Sequence, residues 1–157
     1  MSNYVFTGDE DDITQTIIDG SANGGSVVAI RNSQQAVLSG FTITGGVTDF
    51  GGAVYCRESN ATFSYLIVEN NVVERNGAGI YCTRAGAVLI HDVIIRDNVA
   101  GYVGGGFSCF GGADVTMRNV LMYDNECDHV GGALHCYRAE LTLENVTITN
   151  NYALHSG

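Results

Sequence analysis

A six-residue signature written four times over limits what this chain can fold into. Gly51–Cys56 (Gly-Gly-Ala-Val-Tyr-Cys) returns as Gly77–Cys82, Gly104–Cys109 and Gly131–Cys136, with cysteines 26, 27 and 27 residues apart. A second block follows each: Ala61–Asn71, Val88–Asn98, Val115–Asn125 and Leu141–Asn151. A less regular copy runs from Ser26 to Gly46, with Ile30 near the cysteine position and Gly46 at the asparagine position. Periods of this length are the mark of repeat architectures. Each block-ending asparagine stands six residues before the next glycine, whereas the length varies just after each cysteine. One corner of the repeat is therefore expected to be tightly packed and another to be a surface loop.

Within the second block the apolar residues alternate. Phe63, Leu66 and Val68 become Ile90, Val93 and Ile95, then Met117, Val120 and Met122, then Leu143, Val146 and Ile148. A step of two is strand periodicity. The step of three between Phe63 and Leu66 predicts a bend, and Ser64, Asp92, Asn119 and Asn145 near it suit a turn. No stretch of ten residues shows helical spacing with caps. Each repeat thus reads as three short strands joined by bends. Stacking equivalent residues at about 4.8 Å makes one coil of a parallel β-helix. No coil buries its own inner face, so several must stack before any is stable. The expected fold is all-β: a single-stranded right-handed parallel β-helix of about five coils of 26–27 residues. Residues 1–25 form an irregular N-terminal coil or partial cap and residues 26–157 the repeats.

The Gly-Gly-Ala-Val-Tyr-Cys signature, the alternating block and its Glu-Asn-Asn or Arg-Asp-Asn ending resemble the right-handed parallel β-helix repeat proteins of the pectate-lyase-like class. They are also similar to the glycine-rich repeats of bacterial polymorphic outer-membrane proteins, although a Phe-x-x-Asn element is not matched. Thr16–Gly20 and Gly40–Thr44 resemble entry coils of such domains. The resemblance covers about residues 16–157. It implies right-handed coiling, which the usual crossover rule also favours, and an extracellular or cell-surface setting. It leaves the activity open, because this fold carries lyases, hydrolases, esterases, adhesins and structural modules.

The stacking rule assigns roles to columns. Cys56, Cys82, Cys109 and Cys136 are expected to point inward as buried thiols acting as small hydrophobes. Disulfides between them fit the Cα spacing but not the Cβ spacing, and a linear column does not suit a tetrahedral metal. Cys127, in Glu126–His129, falls off the column and is expected in a surface loop. Asn71, Asn98, Asn125 and Asn151 are expected to form a buried amide ladder at an inward bend.

Function is expected on the outward positions. Tyr55, Tyr81, Ser108 and His135 make one row, followed by Arg57, Thr83, Phe110 and Tyr137. Exposed aromatics on one face suit stacking against sugar rings, so Tyr55, Tyr81, His135 and Tyr137 are the candidate ligand-binding residues. A second outward row, Thr42, Ile67, Ile94, Leu121 and Thr147, holds three stacked aliphatics expected to be exposed, a modest patch for an oligomer contact or the seat of a missing segment. Asp97 and Asp124 line up with Asn70 and Asn150. They are candidates for sharing a Ca2+ ion or, with Arg96, for polysaccharide cleavage. The acidic run Gly8–Asp12 is another candidate calcium loop. No cofactor is required.

Composition narrows the partners. All seven basic residues are arginine, 17 residues are acidic and the net charge is −10. Nucleic acid is not expected, since phosphate binding needs a basic patch. Membrane insertion is not expected, because no apolar run reaches about 18 residues. A lysine-base lyase is excluded, and an acidic chain repels polyuronates unless Ca2+ bridges them. Gly157 begins what reads as a further repeat, so the chain is expected to be a piece of a longer protein or to stack end to end with another copy. The favoured expectation is a non-catalytic secreted or cell-surface module, a rigid scaffold with glycan binding. The alternatives are a polysaccharide lyase or hydrolase and a self-assembling structural subunit.

Overall fold

The computed structural model describes residues 10–22 and 24–155. A short helix, α1 (Glu10–Gln15), leads into β1 (Ile17–Asp19). The coils then follow as β2 (Val28–Arg31), β3 (Ala36–Thr44) and β4 (Val47–Phe50); β5 (Val54–Arg57), β6 (Ala61–Glu69) and β7 (Val72–Asn76); and β8 (Ile80–Thr83), β9 (Ala87–Arg96) and β10 (Val99–Ala100). Two more complete the stack: β11 (Phe107–Phe110), β12 (Asp114–Tyr123) and β13 (Glu126–Cys127), then β14 (Leu134–Tyr137), β15 (Glu140–Thr149) and β16 (Tyr152–Ala153). Three parallel sheets result. Sheet A is ordered β1-β3-β6-β9-β12-β15, sheet B β4-β7-β10-β13-β16 and sheet C β2-β5-β8-β11-β14. The expected parallel β-solenoid of about five coils is therefore the fold.

The register is the sequence period. Cys56 pairs with Cys82, Cys82 with Cys109 and Cys109 with Cys136, and Ile30 stands one coil below Cys56. Val54, Ile80, Phe107 and Leu134 stack, as do Leu66, Val93, Val120 and Val146. These columns form one continuous core. Its upper members lose cover: Leu143 and Ile148 are each 44% exposed, whereas their register partners Met117 and Met122 are fully buried.

Left-handed residues turn the chain at each corner. The sheet A to sheet B corner has φ near +53° at Asn70, Asp97, Asp124 and Asn150. The sheet C to sheet A corner uses Asn32, Glu58, Arg84, Gly111 and Arg138, and the sheet B to sheet C corner Gly51, Gly77, Gly104 and Gly131. The bend expected inside the long strand is a fourth such position, at Gly40, Tyr65, Asp92, Asn119 and Asn145. In the coil of β6 it falls on Tyr65, one residue after Ser64. Ser64 is instead buried and donates to the Ser39 hydroxyl at 3.0 Å.

Two expectations are corrected. Cys127 is not in a surface loop: it lies in β13, fully buried, in a small column with Val73, Ala100 and Ala153 behind sheet B. The two-residue strand is too short to show alternation, and that hid it. The aliphatic row is not open along its length either. Helix α1 packs on the outside of β3 and β6, where Thr42 Oγ1 donates to the Ile13 carbonyl at 2.9 Å and Ile67 is buried. The acidic run Gly8–Asp12 lies outside the described residues, apart from the backbone that opens α1.

Candidate functional site

The inward columns are structural. Asn71 Nδ2 donates to Asn98 Oδ1 at 2.9 Å, Asn98 to Asn125 at 3.0 Å and Asn125 to Asn151 at 2.9 Å. The same amides bond carbonyls of the coil below, such as Val68 and Ile95. Gly46, at the asparagine position of the first copy, donates its N–H to Asn71 Oδ1 at 2.9 Å. Buried amides are thus satisfied along the whole ladder. Cys56, Cys82 and Cys109 are buried thiols and Cys136 is exposed on the last coil; all are free. Burial and the neighbouring thiols push the Cys82 and Cys109 thiols well above their ordinary range, so these groups stay protonated.

The carboxylates stand apart. Asp97 and Asp124 are both exposed, on successive turns of the sheet A to sheet B corner. Asp and Asn adopt φ near +53° more readily than other side-chain-bearing residues, and this accounts for the residue types of that column. Arg96 is committed elsewhere: Nε donates to Glu69 Oε2 at 2.7 Å and Nη1 donates to the Tyr123 hydroxyl at 2.9 Å. Asp97 reaches it only at 3.8 Å. Among the described residues, no three or more His, Cys, Asp or Glu side chains converge as metal ligands. Cys127 is buried and His129 two residues on is exposed, so their side chains do not share one environment.

The outer face of sheet C gathers more. Tyr55, Tyr81, Ser108 and His135 share one register column, and Arg57, Thr83, Phe110 and Tyr137 the next. Alternation predicts that the first column is exposed, but Tyr81 is only 8% exposed and Ser108 not at all. The corner glycines explain the difference. A Cβ on Gly77 would lie 3.0 Å from Tyr81 Cβ and 3.2 Å from Ser108 Cβ, so the incoming corner is folded onto the sheet. Tyr137 remains open at 50%.

The rings form a string. Phe50 lies 5.4 Å from Tyr81, Tyr55 stacks on Tyr81 at 5.8 Å, and Phe110 is 5.7 Å from Tyr81, 5.2 Å from His135 and 6.0 Å from Tyr137. These centroid separations are those of favourable aromatic pairs. Arginines border the string. Arg31 sits 5.1 Å from the Tyr55 ring, Arg75 5.8 Å from Phe50 and Arg138 5.2 Å from Tyr137. Arg57 and Arg84 share Glu58 at 3.1 and 3.3 Å. Their hydrogen bonds hold the Glu58 carboxyl below its ordinary value. A hollow of about 180 Å³ opens between Phe50, Tyr55, Arg57, Tyr81, Thr83 and Arg84. Burial pushes the Tyr81 phenol up and the His135 imidazole down, so both are neutral near pH 7.

The repeat period puts Tyr55, Tyr81, His135 and Tyr137 on two neighbouring columns of one face, and the register has them there. Phe50, Arg31, Arg75 and Arg138, which adjoin these rings, were not among the candidates. Arg31 was legible, since it stands one period before Arg57; Arg75 and Phe50 come from sheet B and reach the stripe only through the corner. A larger hollow of about 460 Å³ lies where sheets C and A meet, lined mainly by short polar residues such as Gln35, Asn60, Thr62 and Thr116. It has neither rings nor a cluster of cations.

No helix among the described residues is long and apolar enough to cross a membrane. No curated protein and no solved structure matches this chain. Residues 4–156 match the family described as a right handed beta helix region. The register, the three parallel sheets and this match agree: the chain belongs to the right-handed β-helix family.

Proposed function

We propose that this β-helix is a non-catalytic module that binds acidic polysaccharide along the outer face of sheet C. One observation carries the proposal. Five of the chain's seven arginines border one aromatic stripe, although the net charge is −10. Aromatic faces give apolar contact to the faces of sugar rings, and guanidinium forks pair with carboxylate or sulfate groups. The parallel coils keep these side chains at a fixed spacing of about 4.8 Å along the axis, which suits a polymer lying across the strands. The overall negative charge argued against such a ligand, but local charge governs recognition at close range. An arginine bonded to Glu69 and Tyr123 is poorly placed to act as a base, so Arg96 with Asp97 and Asp124 does not lead the reading. On this reading the module works outside the cell, where such polymers lie, and needs no Ca2+.

The test is calorimetric titration with uronic-acid tetramers and their neutral counterparts at low ionic strength. Binding is expected to favour the uronates, to weaken with salt, to be indifferent to chelator, and to be lost in Tyr55→Ala/Tyr137→Ala/Arg31→Gln. Absence of binding to every uronate would overturn the proposal.

A further inference from the structure

Three buried polar atoms among the described residues have no hydrogen-bond partner: Asn76 Oδ1, Ser108 Oγ and His135 Nδ1. They belong to one neighbourhood. Ser108 and His135 hold the same register position on β11 and β14, and Tyr81 holds it on β8. Asn76 precedes the corner glycine Gly77, and its side chain acts on the Tyr81 hydroxyl together with Thr83. Gly77 itself abuts Ser108, so the three orphan atoms belong to neighbouring residues, with Ser108 the one small residue between the Tyr81 and His135 rings of the column. Phe110 stands two residues on along the same strand, its ring 5.7 Å from Tyr81 and 5.2 Å from His135, the two rings that flank Ser108 in the column.

Among the described residues, the other fully buried serine and threonine hydroxyls are bonded. Ser59 donates to the Arg57 carbonyl at 2.8 Å, Ser64 to Ser39 at 3.0 Å and Thr42 to Ile13 at 2.9 Å. An unpaired buried hydroxyl costs about 1–3 kcal/mol, and alanine would occupy the same space without that cost. The neighbours Phe107 and Cys109 point into the core and ask nothing of it. A polar group held at a cost to stability beside a candidate binding stripe points to use by a ligand.

We infer that Ser108, His135 and Asn76 form the polar floor of the polysaccharide site, a notch that receives one sugar hydroxyl once the Phe110 ring is displaced. The inference rests on the proposed polysaccharide binding and adds its selectivity. A site built to bond a hydroxyl discriminates against the ligand lacking it, because its own groups are then left unpaired. The Ser108 hydroxyl accepts from or donates to the sugar hydroxyl, and the neutral His135 ring offers Nδ1 beside it. The stripe thus supplies affinity through rings and arginines, and the notch supplies preference among sugars.

The experiment uses the full chain with Ser108→Ala and, separately, His135→Phe, which keeps a ring and removes both nitrogens. Each is unfolded thermally and titrated with whichever uronate tetramer the wild type binds, and with its monodeoxy analogues. Ser108→Ala is expected to unfold at the same or a higher temperature while binding about 2- to 10-fold more weakly, one hydrogen bond's worth. His135→Phe is expected to show a similar drop, and both to lose the preference over one deoxy analogue. Unchanged affinity in both variants would overturn the floor and leave the stripe standing. A wild type that binds no uronate overturns both. A Ser108→Ala protein that melts several degrees lower would show the hydroxyl to be paired and would also overturn the inference.

Discussion

Two corners of each coil make the same backbone turn with opposite consequences. Between sheets A and B the left-handed residue is Asn70, Asp97, Asp124 or Asn150; between sheets C and A it is Asn32, Glu58, Arg84, Gly111 or Arg138. After the first corner the next side chain, always Asn from Asn71 to Asn151, turns inward and joins a buried ladder. The second corner carries glutamate and arginine outward, as the shared Glu58–Arg57–Arg84 pairing shows. One turn is thus held by a network in which each amide serves two coils. The other has no continuous side-chain ladder among the described residues, only single cross-coil bonds from the Ser33 N–H to Ser59 Oγ and from the Ala87 N–H to Asn60 Oδ1. The spacing in the sequence agrees: constant beside the asparagines, variable by one residue after the cysteines. A left-handed turn by itself does not fix a residue type; burial of the next side chain does.

The most damaging substitution separating the corners is Asn98→Leu. It removes the acceptor of the buried Asn71 backbone N–H, while the Asn71 amide keeps the Ile43 and Glu69 carbonyls. With that N–H orphaned at about 1–3 kcal/mol and the Asn98 amide's own bonds lost as well, the expected loss is about 2–4 kcal/mol. Arg84→Leu at the other corner, whose side chain is exposed, is expected to cost under about 0.5 kcal/mol. Urea denaturation of both variants measures the gap. Equal losses would mean that the ladder does not distinguish the corners.

Legibility in the sequence divides along the same line. The cysteine, apolar and asparagine columns were readable because an inward position tolerates few residue types, so identity repeats with the period. The outer face was readable only in part. Alternation places Tyr81 and Ser108 outside sheet C, but nothing in it says that the Gly77 and Gly104 corners fold over them. Net charge concealed the stripe as well, since 17 acids spread over the molecule outweigh arginines gathered on one face. Tyr65 and Arg84 at left-handed positions gave no sign, because residue type there is a preference of about 1 kcal/mol that packing overrides. Cys127 was misplaced because two residues of β13 carry no period.

A subtler contrast comes from glycines with one conformation and two surroundings. Gly104 and Gly111 both have φ +66°. A Cβ on Gly104 would lie 2.4 Å from the Phe107 carbonyl oxygen, whereas on Gly111 the nearest atom is the Arg84 Cγ at 3.7 Å. Gly111→Ala therefore meets only the left-handed penalty, about 1–2 kcal/mol. Gly104→Ala meets that penalty plus a backbone clash, and is expected to lose at least about 1 kcal/mol more. Chemical denaturation of the pair isolates packing from conformation. Matching losses would show that the sheet B to sheet C corner relaxes freely and that its glycines are there for φ alone.

The smallest effect separates the two regions by pH. The asparagine ladder has no titrating member, so its contribution is flat. The stripe reached from the arginine side holds His135, whose pKa is lowered from 6.5 by burial. The unfolded chain then binds a proton at a higher pH than the folded one. Stability from this group is fully present above about pH 6.5 and is lost as pH falls through the lower folded value. Wild type is expected to lose stability between neutrality and the onset of carboxylate titration. His135→Phe is expected to be flatter over that interval, and Asn98→Leu to be displaced downward with the wild-type slope. Thermal unfolding across the interval for all three proteins decides it. A His135→Phe curve parallel to wild type would place the imidazole in solvent, and the outer face of sheet C would then be as open as simple strand alternation implies.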